Sequence, residues 1–112
     1  MRSYKLYLKD ILIAIKKINE YTKSFTFDKL KRDKLVIDAV VRNLEIIGEA
    51  SKNIPKKIRV EHPDIEWKKI CGLRDILAHE YFGVDIQILW DIIKNKLPDL
   101  QKKITRVLKS IQ

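Results

Sequence analysis

At 112 residues, 46% hydrophobic and 35% charged, the chain has the size of one compact domain and enough apolar material for a packed core. Three glycines and three prolines are too few for the turns of an all-β fold, so long helices with short connections are favoured. A formal charge of +9, from 24 Lys and Arg against 15 Asp and Glu, points to a polyanion such as RNA or DNA, or to an acidic protein, unless the proteome is simply basic.

From about Tyr4 to Tyr21, apolar residues recur at Tyr4, Tyr7, Leu8, Ile11, Ala14, Ile15 and Ile18, the steps of an amphipathic helix. Leu6, Leu12 and Ile13 widen its apolar arc. Thr26 is placed to start the next helix, and Lys29 to Lys34 form a basic run read as a solvated face that could also contact phosphate. A second long helix ends near Ser51, with a stripe of Val36, Ala39, Val40, Asn43, Leu44, Ile47 and Ala50. Asn43 therefore stands where periodicity calls for an apolar side chain. An amide there needs partners, because an unsatisfied buried polar group costs about 1–3 kcal/mol. Either it bonds across the bundle, or it faces a functional cleft.

Pro55 to Glu61 reads as a short helix with proline at its first position, and His62, before Pro63, as a surface residue. Asp64 is a good N-cap for a helix beginning near Ile65, which Gly83 would stop. Asp85 caps the next helix, with a stripe of Ile86, Leu89, Trp90 and Ile93. Pro98 is expected to restart the chain, leaving Leu100, Ile104, Val107, Leu108 and Ile111 to line the last helix. The expectation is an all-α, up-and-down bundle of about four or five helices forming one domain over 1–112.

Cys71 is the one cysteine, so no intramolecular disulfide is possible. No run approaches the roughly 18 apolar residues of a membrane span, and no signal-peptide pattern opens the sequence. A cytoplasmic protein without membrane attachment is the default expectation.

One segment resists a purely structural account. In Gly72 to Gly83, Arg74 falls within an apolar stripe of Trp67, Ile70, Cys71, Leu77, Ala78 and Tyr81. A guanidinium cannot shed its charge, and burying it unpaired would cost roughly 3–5 kcal/mol. Either a partner reaches it or this face borders a cleft. On an ideal helix Arg74 and His79 are separated by roughly 140°, Arg74 and Tyr81 nearly align, and Asp75 and His79 are i, i+4 neighbours. Asp75 could thus orient His79. Arg74 and His79 converge on one target only if the helix unwinds near His79 or two copies pair; pairing also explains a charge on an apolar face.

A histidine titrating near neutrality and a fixed guanidinium suffice for one reaction without a metal. RNA carries its own nucleophile in the 2′-hydroxyl; the imidazole moves the proton and the guanidinium stabilises phosphate charge. Two distant histidines and a lone cysteine give no metal-ligand cluster, and no cofactor is called for. A lone histidine on a helix is nonetheless more often structural.

Arg74, four residues, His79, one residue, then Tyr81 resembles the motif of HEPN-domain toxins of the HepT-like ribonuclease family. The flanks Gly72 to Tyr81, the segment Arg42 to Ala50 and the helix order over essentially the whole chain are similar as well. The resemblance implies a homodimeric, metal-independent endoribonuclease. Arg74 and His79 of both chains line a cleft, and RNA is cut by 2′-hydroxyl attack to leave a cyclic phosphate. It also implies the toxin half of a toxin–antitoxin pair, opposed by an MNT-type nucleotidyltransferase antitoxin that transfers AMP to Tyr81. Asp75 and Asn43 are the expected supporting residues. The alternative is a non-catalytic helical module that binds RNA or such a nucleotidyltransferase.

Overall fold

Two nineteen-residue helices form the spine of the bundle, α1 (Tyr4–Thr22) and α3 (Lys34–Lys52). The computed structural model describes residues 2–79 and 85–111, with the side chains of 74–79 excepted. Ser3 caps α1 by accepting from the Lys5 N–H at 3.3 Å, and Leu8, Ile11, Ile15 and Ile18 along it are fully buried. The i, i+3, i+4 spacing thus becomes one continuous buried stripe. The chain leaves α1 through Ser24, whose φ of 67° lies in the left-handed region that side chains seldom adopt.

Thr26 then starts α2 (Phe27–Arg32), accepting from the Lys29 N–H at 3.2 Å. Within the basic run only Leu30 is buried, and it anchors a single helical segment whose Lys29, Lys31 and Arg32 remain exposed. Asp33 closes α2 and caps α3 through the Val36 N–H at 3.1 Å. Val40, Leu44 and Ile47 of α3 are fully buried.

Pro55 occupies the cap position of α4 (Lys56–Glu61), and α5 runs Trp67–His79. Asp85 caps α6 (Ile86–Asp91) by accepting from the Gln87 N–H at 2.9 Å. A π-helical turn (Ile92–Lys96) leads directly into α7 (Leu97–Ser110). α3 packs against α1 on one side and α5 on the other, α7 returns against α1, and α2 rests on α3 and α6. Among the described residues the fold is an all-α bundle of four long spans, with α2 and α4 as short connecting helices. No described helix is long and apolar enough to cross a membrane.

Three expectations are corrected. Pro98 does not restart the chain, which is helical from Ile86 to Ser110. A proline inside a helix lacks its N–H and crowds the carbonyl four residues earlier. The preceding turn widens so that the Leu97 N–H reaches Ile92 O, five residues back, and this accommodates the ring. Asp64 does not cap α5. A tight turn, with the Ile65 N–H on His62 O at 3.2 Å, delays the helix to Trp67, and the Asp64 carboxylate lies 3.8 Å from Arg106 instead. His62 is half-buried rather than a surface residue, and its carbonyl accepts from the Trp67 indole at 3.0 Å.

Candidate functional site

Placement of the motif begins with Trp67. Its ring is buried in the core cluster and its N–H is tied to the connector before α5, which fixes where the helix starts. From there α5 is helical to His79, so Arg74, Asp75 and His79 stand on one unbroken helix. The backbone is helical as far as His79, and residues 80–84, where the helix could unwind, lie outside the described residues. On a regular helix these two positions are separated by roughly 140° about the axis. The side chains of Arg74, Asp75 and His79, and all of Tyr81, lie outside the described residues.

Asn43 is 6% exposed, and its Nδ2 donates to Ala39 O at 2.9 Å within α3 itself. Among the described residues its bond is to the preceding turn, so at least one N–H of this buried amide is satisfied locally. Because α3 packs on α5, Asn43 and the motif occupy adjacent helices.

Beside the motif runs a groove that the sequence did not announce. It encloses about 640 Å³ between α5 and the span from the π-turn into α7. Ile65, Ile70, Leu73, Ile92, Leu97 and Leu100 supply apolar walls, and Lys68, Lys69, Lys96 and Lys103 a basic margin. Two of the lysines are partly neutralised: Lys69 lies 2.7 Å from Glu66 and Lys103 3.0 Å from Asp99. Lys69 donates to Glu66 and holds its carboxyl below the ordinary value, while Glu66 raises Lys69 in return. Lys103 also donates to Asp64 O at 2.7 Å. Periodicity along α5 marked Ile70 as apolar, but the groove's other walls come from a distant part of the chain.

Gly72 faces this space, and a Cβ built there meets nothing within 4 Å. A glycine inside a helix is about 0.5–1 kcal/mol worse than alanine. Gly72→Ala should therefore stabilise the chain by about that amount in denaturant unfolding; a loss of stability would mean that the glycine is needed for a close approach.

Arg59 of α4 was also missed. Its Nη1 lies 3.9 Å from Cys71 Sγ on α5, and its Nε is buried without a hydrogen-bond partner among the described residues. An arginine on a short connecting helix carries no periodic signal that would have singled it out.

Comparison with known proteins adds an independent line. The family model described as ribonuclease HepT-like matches residues 11–107. A protein of Thermococcus cleftensis named probable ribonuclease HepT is 46% identical over 108 residues, covering 96% of this chain and 98% of the relative. Two chains with provisional RNase names are similar too. That of Methanocaldococcus jannaschii is 41% identical over 99% of this chain and 92% of its own length. That of Caldanaerobacter subterraneus subsp. tengcongensis is 42% identical over 96% of each. No solved structure matches.

Proposed function

The chain belongs to the HepT-like ribonuclease family, and from that premise we propose that it is a metal-independent endoribonuclease acting through Arg74 and His79. The observation that carries the reading is the placement of both residues on a helix unbroken to His79, inside the segment that matches the family. In the proposed reaction the His79 imidazole takes the proton of a 2′-hydroxyl. The freed oxygen attacks the adjacent phosphorus, the bond to the 5′-oxygen breaks, and that oxygen leaves with a proton returned by an imidazolium. A 2′,3′-cyclic phosphate and a 5′-hydroxyl result. Arg74 offsets charge on the non-bridging phosphate oxygens, Asp75 orients His79 from one turn away, and Asn43 supports the motif helix from α3.

The angular separation of Arg74 and His79 supports a homodimer in which two copies of α5 share one cleft. A single domain over 1–112 supplies each half. RNA incubated with the purified chain in EDTA should be cut internally; intact RNA at concentrations where the chain is dimeric contradicts the reading.

The proposal extends to a toxin role in the cytoplasm, opposed by an MNT-type nucleotidyltransferase that attaches AMP to Tyr81. An adenylate two residues beyond His79 adds bulk and negative charge that compete with substrate phosphate for Arg74. Co-expression with such a partner should add the mass of one or more AMP units, and Tyr81→Phe should remove the increment. An increment that persists in Tyr81→Phe contradicts the assignment.

A further inference from the structure

Away from the motif helix, α2 with the residues just before it, and the end of α6 with the π-turn, carry aromatic rings beside exposed basic side chains. Phe27 meets Trp90 edge-on, with ring centroids 6.3 Å apart and planes at 74°. The Lys29 ammonium lies 4.5 Å from the centroid of Phe25, and that of Lys94, in the π-turn, 4.7 Å from the centroid of Trp90. All three rings are half-buried, whereas Lys29, Lys31, Arg32, Lys34 and Lys94 are exposed. Beside them, where α2 meets α3, Thr26, Asp28, Lys29, Arg32, Asp33 and Lys34 line an open hollow of about 560 Å³.

We propose that the exposed cations around α2 and the π-turn form a second RNA-contacting region, in which unpaired bases stack on Phe25 or Trp90 as Lys29 or Lys94 moves aside, while Lys31 and Arg32 neutralise the backbone. The proposal rests on the ribonuclease reading for its choice of RNA. Its chemistry is that of single-strand recognition in general, which combines a positive track with aromatic rings that accept any base. A ring face that holds an ammonium in exposed surroundings is accessible, and the contact is weak enough to exchange. When a base takes the ring, the displaced lysine is left beside the incoming phosphate. Asp28, Asp33 and Asp91 do not cancel the field: against these three stand five cations, the Asp33 carboxylate caps α3 and Asp91 accepts from Asn95. Paired bases keep their faces stacked on one another, so the surface favours unstructured RNA over duplex.

The test compares the full chain with a variant combining Lys29→Ala, Lys31→Ala and Lys94→Ala, none of which lies on α5. Binding of labelled oligouridylate is followed by fluorescence anisotropy over a range of salt concentrations. Loss of three contacts should lower the slope of log affinity against log salt by about 2 and weaken binding about tenfold or more at low salt. KM for cleavage should rise, with kcat and the circular-dichroism spectrum retained. A variant that binds and cuts as the wild type does overturns the proposal, as does wild-type binding of duplex equal to or tighter than that of oligouridylate. Should the wild type cut no RNA, the ribonuclease reading falls alone, and the binding arm still decides this one: weaker binding by the variant upholds the surface, unchanged binding removes it.

Discussion

Replacing His79 with alanine is expected to lower the rate of RNA cleavage about 10²–10⁴-fold, the range for loss of a general acid or base. Arg74→Ala should cost about 10²–10³-fold, as for a removed charge-stabilising donor. Neither change should unfold the chain. Arg74 stands on a stripe whose described members, Trp67, Ile70 and Cys71, are buried or half-buried, so its truncation removes a charge from an apolar face. Arg74→Lys should recover only part of the activity, because an ammonium lacks the planar fork that grips two phosphate oxygens. If the two residues act as a unit, the double variant should be scarcely worse than the more damaged single variant. Initial rates on an unstructured RNA, with unfolding curves alongside, measure all of this. Cleavage retained by both single variants would falsify their assignment.

The second large effect concerns sharing between copies. On a regular helix the roughly 140° between the two positions would not aim Arg74 and His79 at the same phosphate. A C2 pair does so if the arginine of one copy works with the histidine of the other. Mixing Arg74→Ala chains with His79→Ala chains, after mild denaturation to exchange subunits, makes half of the dimers mixed. Each mixed dimer retains one intact arginine–histidine set contributed across the interface, so about a quarter of the wild-type rate should return from two nearly inactive proteins. A mixture as inactive as its components would place each catalytic pair within one chain.

How far the sequence leads can be seen element by element. The helices α1 and α3 were legible because Leu8, Ile11, Ile15 and Ile18, and Val40, Leu44 and Ile47, repeat at helical spacing and all end fully buried. Thr26 and Asp85 were legible as caps because capping is a contact between neighbours in sequence. Pro98 misled, since local rules do not show that a π-turn can absorb a proline. Asp64 misled for the opposite reason: a distant partner, Arg106 of α7, stands near its carboxylate. The helical spacing around Arg74 was legible, and the backbone is helical as far as His79. The groove beside α5 and the aromatic–basic surface on α2 and α6 were not. Each joins residues far apart in the chain that only the tertiary fold brings together, across the groove between α5 and the π-turn–α7 span, or by the packing of α2 on α6.

The central claim is that RNA is cut by its own 2′-hydroxyl at the Arg74/His79 motif, without a metal. It is tested most directly with a matched pair of oligonucleotides in EDTA, one all-ribose and one carrying a single 2′-deoxy sugar at the cleaved position. The account predicts that the all-ribose strand yields a 2′,3′-cyclic phosphate and a 5′-hydroxyl while the substituted strand stays intact at that position. Cutting of the 2′-deoxy strand there, or a product ending in 5′-phosphate, would contradict it.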